Sequence, residues 1–384
     1  MSRFLFAVLP LSGHVNAPLA VADELGKRGH EVAWCGPETY LRPLVGPDAT
    51  VYPTGMRYYR EQGSQGMDAV RSLWTSYLIP FNRFILAALD RAVGAYRPDV
   101  LVTDQHALAG GLVGHRHGLR WATLAPGALE LTRPLRDVPG AEDFVDAALG
   151  TLWGIAGLPR DPAVDLRFSP YLVIAFSTAA LTGTAHLPPN CALVGPALGR
   201  RRTDPGFPFE RLDPGRQRVL VTVGTLSDEV AADFVARTVA ALAGLADRVQ
   251  GVVVGTVPEA PENALVLPRV PMLDLLPHVH AVVCHGGMGT VGEALAHGIP
   301  LVVAPIRHDQ PYVAAQVSAA GAGVRVPFAE VTPDELRAAI VRVLDEPSYR
   351  QSARRIADEF DRAGGSAAAA DQLIKLANIG NSLP

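Results

Sequence analysis

The sequence predicts an α/β protein built of two consecutive domains, each a parallel sheet flanked by helices, and three observations carry that reading. Short runs of apolar, β-branched residues alternate with segments whose apolar residues recur at helical spacing. This βαβ pattern gives parallel sheets with helices on both faces. A stretch rich in Pro, Gly and charge, 195–218, interrupts the pattern without a hydrophobic period of its own, and within it 200–217 reads as the interdomain linker. The same alternation then restarts and runs to the last helix. At 384 residues the chain also exceeds the size at which one core keeps growing.

In the first half, Phe4 to Leu9 is a strand, and LSGHVN is a loop leading to a helix with an apolar face of Leu19, Ala22 and Leu25. Pro18 falls in the opening turns expected of that helix, where backbone N–H groups have no intrahelical partner to lose. Strands follow at His30 to Cys35 and Thr50 to Tyr52, and the polar stretch from Thr54 to Met67 reads as a surface loop. From Asp68 to Ala95 a helical rhythm is interrupted by Pro80, so a proline-kinked helix pair is expected. Val100 to Thr103 is a strand ending in Asp104-Gln105-His106. A small-residue helix (Ala107 to His117), a strand (Trp121 to Leu124), a helix (Ala141 to Trp153) and strands at Tyr171 to Ala175 and Cys191 to Val194 complete this half.

In the second half, strands at Val219 to Val223, Val249 to Val254 and Ala264 to Leu267 surround a helix from Asp228 to Leu245, with a short helix at Met272 to Leu276. Past the unit described below come a helix (Pro311 to Ala320), a strand (Gly323 to Val326) and a helix opened at Thr332 by a capping box with Glu335, Pro333 taking the first helical position. Alanine-rich helices, Pro347 to Phe360 and Ser366 to Asn378, close the chain. Two α/β halves joined by a linker imply an inter-domain cleft, the default place for a ligand.

Apolar residues make up 48% and charged residues 19%, the balance of a globular rather than a disordered chain. The net charge of −4 argues against general nucleic-acid binding. Cys35, Cys191 and Cys284 show no CxxC spacing and read as small core residues of a reducing compartment. The apolar run after Arg3 stops at Ser12-Gly13-His14, short of a signal peptide, and no run of 18 apolar residues occurs, so a cytoplasmic location is expected.

One stretch carries specific chemistry: AVVCHGGMGTVGEALAHGIPLVVAPIRHDQPYVAAQ, Ala281 to Gln316. It reads as a buried strand, a glycine loop, a helix and another strand, the arrangement that sets backbone N–H groups and a helix N-terminus against a phosphate. Gly286, Gly287 and Gly289 allow close backbone approach to an anion. His285 can donate a ring hydrogen bond to a diphosphate oxygen, and the Thr290 hydroxyl lies where the helix begins. Glu293, a turn later, suits the vicinal hydroxyls of a ribose, and Asp309 and Gln310 suit those of a hexose. No Gly-Lys-Ser/Thr is present, and the loop lies too late in the chain for a Rossmann fingerprint.

The string HGGMGTVGEALAHGIPLVVAPIRHDQ resembles the donor-binding signature of nucleotide-sugar-dependent glycosyltransferases of the GT-B fold, above all the bacterial macrolide and antibiotic glycosyltransferases and the zeaxanthin glucosyltransferases. The resemblance implies two Rossmann-like domains whose parallel sheets face each other across a cleft. Residues 1–199 would bind the acceptor and 218–364 the nucleotide sugar, and a last helix, 365–384, would cross back to the first domain. It adds Gly13, Thr225, Arg269, Val270, Gly287, Met288 and Gly289 to the donor-binding set. Where many members read Trp-Val-Pro-Gln, with the aromatic on uracil, this chain has Arg269, Val270, Pro271 and Met272. Arg269 can stack through its guanidinium plane. The apolar character here suggests dTDP-sugars, whereas HGGMGT and Asp309-Gln310 suggest UDP-glucose, so the base stays open.

Transfer of a sugar to a hydroxyl requires a base, in-line placement and stabilisation of the leaving diphosphate. His14, at the junction of the first strand and first helix, matches the family's base, and Asp104, ending another strand at the same sheet edge, matches the acid that orients it. The plain alternatives are a helix-capping His and an N-cap Asp. His115 and His117 lie on a helix where alternate residues point apart, so no zinc site is expected there, and His278 and His280 offer no better set. The DxD motif of metal-dependent sugar transferases is absent from the sequence, and no metal or further cofactor is expected. Trp74, Tyr77 and Phe81 are candidates for the wall of an apolar acceptor pocket, with core packing as the alternative.

The reading is an inverting, metal-independent glycosyltransferase acting as a monomer or homodimer on a hydrophobic small molecule, be it polyketide, macrolide, carotenoid or flavonoid. A nucleotide-sugar epimerase of the same fold would need acidic groups lining the cleft. A non-catalytic accessory protein would lack the histidine or the phosphate motif, and this chain has both.

Overall fold

The computed structural model describes residues 1–56, 66–127, 129–133, 138–199, 205–224 and 228–379. The chain divides into two compact units, one of Met1–Phe176, Thr184–Arg202 and Ala363–Pro384, the other of Ser177–Gly183 and Thr203–Arg362.

The first unit runs β1 (Arg3–Ala7), α1 (Ser12–Lys27), β2 (Glu31–Gly36), α2 (Glu38–Val45), β3 (Thr50–Pro53), α3 (Gly66–Ser72), α4 (Ile79–Tyr96), β4 (Val100–Asp104), α5 (Ala109–His117), β5 (Trp121–Ala125), α6 (Leu129–Thr132), α7 (Ala141–Ile155) and β6 (Val173–Ala175). After the excursion α8 (Ala179–Thr182), which belongs to the second unit, it ends its sheet with β7 (Cys191–Leu193). All seven strands are parallel, in the order β3-β2-β1-β4-β5-β6-β7. The period of two shows in β1, where Leu5 and Ala7 enter one core cluster and Phe4 and Phe6 the cluster on the opposite face. Both faces are covered, so the inner strands are continuous apolar runs.

The second unit follows the same plan. It runs β8 (Gln217–Thr222), α9 (Asp228–Ala243), β9 (Val249–Val254), β10 (Ala264–Leu267), α10 (Met272–Leu275), β11 (Ala281–Cys284), α11 (Met288–Ala296), β12 (Leu301–Val303), α12 (Gln310–Ala319), β13 (Gly323–Arg325), α13 (Pro333–Asp345) and α14 (Pro347–Ala363). Its six parallel strands are ordered β10-β9-β8-β11-β12-β13. The capping box at Thr332 forms: the hydroxyl accepts from the Glu335 N–H, and the Glu335 carboxylate accepts from the Thr332 N–H at 2.8 Å. The last helix, α15 (Gly365–Asn378), packs on α1 through Ala369, Ala370 and Leu373, and Arg28 reaches Asp371 at 2.5 Å.

Three expectations differ from the structure. The helix pair around Pro80 is joined by a π-helical turn, Leu73–Leu78, and Pro80 opens α4 instead of kinking it. The stretch read as a linker is an ordered part of the second unit wherever it is described. A 3₁₀ turn at Phe209–Arg211 is held by Gln250, whose amide oxygen accepts from the Asp213 N–H at 2.8 Å and whose amide nitrogen donates to the Arg211 carbonyl at 2.9 Å. The basic run Arg200-Arg201-Arg202 lies outside the described residues. Third, α1 starts at Ser12, inside the segment read as a loop. The three cysteines are free, and Cys35 and Cys284 are buried as expected. Among the described residues no helix is long and apolar enough to cross a membrane.

Candidate active site

In both sheets the strand order reverses direction once, between β1 and β4 in the first and between β8 and β11 in the second. Ligands of open α/β sheets bind outside the carboxyl ends of the strands at such a switch point. β1 and β4 pair from Phe4–Val100 to Ala7–Thr103, so the residues that leave them emerge side by side. There His14 and Asp104 meet: Nδ1 of His14 lies 2.8 Å from Oδ2 of Asp104. The carboxylate side chain is wholly buried and the imidazole is 18% exposed. With a carboxylate facing Nδ1, the ring proton belongs on Nδ1, which makes Nε2 the basic nitrogen of the ring.

Local sequence fixes this geometry. His14 sits in the first turn of α1, its N–H bonded to the Leu11 carbonyl at 2.9 Å, and not in a loop before the helix. Pro18 consequently lies within the helix and offers no N–H to the His14 carbonyl one turn back. Asp104 ends β4, and its second oxygen, Oδ1, accepts the His106 N–H at 2.8 Å. The His106 ring stands beside that of His14, with 5.1 Å between centroids.

Two neighbours of this dyad escaped the sequence reading. His106 follows Asp104 by two residues, and the Asp-x-His spacing was its only signal. Asn82 is a polar residue on the apolar face of α4 that is 1% exposed. Its amide donates to the Leu78 and His106 carbonyls, each at 2.9 Å, and its oxygen accepts the Ala109 N–H at 2.8 Å. It therefore ties the π-helical turn to the loop that carries His106. The proposed acceptor wall is corrected: Trp74, Tyr77 and Phe81 are 1%, 4% and 2% exposed and belong to the main core cluster of the first unit. Burial, and then the nearby Asp104 carboxylate, push the Tyr77 phenol well above its ordinary range.

In the second unit the loops after β8 and β11 touch. A Cβ on Gly224 would come within 2.6 Å of the His285 ring, and one on Gly287 within 2.7 Å of its Nε2. Glycine at both positions lets the imidazole lie flat between the two turns. Gly286 is required twice over: its φ is +87°, and a Cβ would stand 2.9 Å from Val303 Cγ1. His285 Nδ1 is buried without a hydrogen-bond partner. Burial, and then the charge of Arg307, lower the His285 imidazole to about 4. It is neutral at pH 7 and has one N–H to give. α11 opens on Gly287 with no side-chain cap, so its first-turn N–H groups remain for an external acceptor.

Met288 and Glu293 are buried on α11, whereas Thr290 is half-buried and Gly289 exposed in its first turn. Gln310 also shapes the loop that carries it. Its amide oxygen accepts the Ile306 and Arg307 N–H groups at 2.9 and 3.0 Å, so it pins the loop after β12, next to Asp309 at the start of α12. Arg269 is exposed and Val270 buried. Gly13 is exposed with open space where a Cβ would stand, and Thr225 lies outside the described residues. The His115 and His117 pair is engaged elsewhere: His115 packs edge-on against Trp153, and His117 Nε2 lies 2.8 Å from Asp90. Among the described residues, His14, Asp104 and His106 are grouped closely enough to share a metal ion.

Two consecutive parallel sheets of this order, each flanked by helices, make the GT-B fold. Residues 217–376 match the family described as Erythromycin biosynthesis protein CIII-like, C-terminal domain. The chain is 28% identical to demethyllactenocin mycarosyltransferase of Streptomyces fradiae, over 97% of this chain and 86% of that one. The glycosyltransferase of kitacinnamycin superposes with a TM-score of 0.78 at 24% identity, covering 98% of each chain. Glycosyltransferase VinC, solved in complex with dTDP, superposes with a TM-score of 0.75 at 21% identity, over 98% of this chain and all of that one. The chain is a glycosyltransferase of GT-B fold.

Proposed function

We propose that the protein transfers a hexose from a UDP- or dTDP-activated donor to a hydroxyl of a hydrophobic small-molecule aglycone, with inversion at the anomeric carbon and without a metal ion. The observation that carries this reading is the 2.8 Å His14–Asp104 contact at the switch point of the first sheet. Nε2 of His14 takes the acceptor proton as the acceptor oxygen bonds to the anomeric carbon and the bond to the diphosphate breaks. Asp104 then stabilises the imidazolium. A single displacement on the face opposite the leaving group inverts the centre. Charge on the departing diphosphate is met by the N-terminal N–H groups of α11 and the His285 ring, which do the work a cation does elsewhere. The small-molecule acceptor is supported by the likeness to demethyllactenocin mycarosyltransferase and to the glycosyltransferase of kitacinnamycin. No cofactor beyond the nucleotide sugar is required.

The test is His14→Ala, which should lower turnover by about 10² to 10⁴ while nucleotide affinity holds. The wild type should work in EDTA, and the glycoside should show the inverted anomer by NMR coupling constants. A retained anomer, or activity that collapses with EDTA and returns with magnesium, would refute the mechanism.

A further inference from the structure

The dyad has a third member that sugar transfer does not use. His14, Asp104 and His106 each bring one ligating atom, and these atoms lie within 4.8 Å of one another. Ligands of a tetrahedral ion with metal–ligand bonds of about 2.0–2.2 Å stand roughly 3.3 Å apart. The His14–Asp104 pair, at 2.8 Å, needs only a slight opening, and His106, within 4.8 Å of both, must close by at most about 1.5 Å. Asp104 is fixed by the His106 N–H, which leaves its other oxygen to point at His14. Part of the His14 ring reaches solvent, so an ion has a way in and a place for a water as fourth ligand.

We infer that His14, Asp104 and His106 form an inhibitory site for a divalent transition-metal ion, zinc in the first instance. Two imidazoles and one carboxylate make an N/O donor set that suits zinc, nickel or copper. Magnesium and calcium prefer oxygen ligands and do not compete for it. The inhibition follows from the tautomer. Nδ1 is the nitrogen beside the carboxylate, so Nδ1 is the one that ligates. Its proton must then sit on Nε2, the atom that has to accept the proton of the acceptor hydroxyl. No proton is gained or lost overall, yet the base is disabled. The inhibitory half rests on the proposed role of His14; the binding half does not.

Chelator-stripped full-length protein is titrated with zinc chloride in a calorimeter, without nucleotide sugar, and with cobalt(II) as a visible-absorption probe of the ligand field. One ion per chain is expected, with a cobalt d–d band. His106→Phe should weaken zinc at least about tenfold, since losing even an outer-sphere partner typically costs that much. His106→Asn serves the same purpose should the Phe variant misfold. His117→Gln, at the separate Asp90 pair, should bind zinc like the wild type. In the transfer assay zinc should inhibit and EDTA should restore turnover. Absence of both the zinc heat and the cobalt band overturns the site, as does unchanged affinity in the folded His106 variants. Saturating zinc that leaves turnover intact overturns the blocking role. A His14→Ala protein that has lost zinc but kept turnover would instead uphold the metal site and refute the base.

Discussion

Asp104→Asn preserves the shape of the side chain and reverses one hydrogen-bonding group, which makes it the sharpest probe of the dyad. In the native protein Oδ1 accepts the His106 N–H and Oδ2 faces His14 Nδ1, each at 2.8 Å. An amide has a single oxygen. The His106 backbone can only donate, so the oxygen stays there and the NH₂ turns towards His14. The ring must now accept at Nδ1 and carry its proton on Nε2, which can no longer take one from an acceptor. The same inversion in acyl-transfer triads costs about 10⁴ in kcat, which corresponds to about 5.5 kcal/mol of transition-state stabilisation. Because the number of hydrogen bonds is conserved, unfolding free energy should change by no more than about 1 kcal/mol. The double variant with His14→Ala should be about as slow as His14→Ala alone, since residues acting as a unit are not additive. Single-turnover rapid quench, with nucleotide affinity measured by calorimetry, separates chemistry from binding. A folded Asn variant within tenfold of wild-type turnover would show that the tautomer does not matter and would refute the reasoning.

The His285 imidazole is held at about 4 by burial and then by Arg307, against an ordinary value of 6.5 in the unfolded chain. Between those values the unfolded chain takes a proton that the folded chain refuses, so this stability is complete above about pH 6.5 and is lost as pH falls towards 4; from pH 7.5 to 5 the loss is about 2 kcal/mol. Denaturant unfolding of wild type and His285→Gln at both pH values checks it, and an equal loss in the two would assign the slope elsewhere. Gly286→Ala should cost about 2–3 kcal/mol, from left-handed backbone plus a clash with Val303, and lower Tm accordingly. Gly13→Ala, with open space at its Cβ, should leave Tm unchanged or raise it. Thr290→Ala should weaken nucleotide binding by about 1–3 kcal/mol in calorimetry, and unchanged affinity would remove the α11 turn from the donor site.

The strands were legible because a parallel strand covered on both faces is a continuous apolar run, and such runs recur through both halves. The meeting of His14 and Asp104 was legible because both follow inner strands at the same edge. What failed was decided by distant contacts. Leu11, which has no capping group, precedes α1, and Ser12-Gly13 looks like a loop, so the helix start was placed too late. Nothing in LWTSYL distinguishes a π-helical turn from an α-helical one. Trp74, Tyr77 and Phe81 have a spacing that serves a core face or a pocket wall equally, and only their packing partners choose the core. The seven residues Ser177–Gly183 join the second unit, where the Ala180 N–H meets Glu359 at 3.2 Å, a contact 179 positions away that leaves no local trace.

The two histidines at the two switch points stand in opposite surroundings, and the proposed mechanism gives them opposite tasks. His14 has a buried carboxylate 2.8 Å from Nδ1 and an edge in solvent. In the proposed mechanism a proton arriving at Nε2 produces an imidazolium whose charge this carboxylate neutralises. His285 has no carboxylate against it; it is wedged between Gly224 and Gly287, its Nδ1 unpartnered, with Arg307 the charge that acts on it. A second proton there would bury a cation beside a cation, so the ring stays neutral, with one N–H that the proposed mechanism gives to the diphosphate. The glycines contribute to this, because a Cβ at 224 or 287 would stand within 2.6 or 2.7 Å of the ring, and ring or loop would have to shift. A base must be able to hold a proton through the transition state, whereas a phosphate-binding donor must neither surrender its proton nor acquire another. Each requirement is met by the second residue at its own switch point, a carboxylate in one sheet and a glycine in the other.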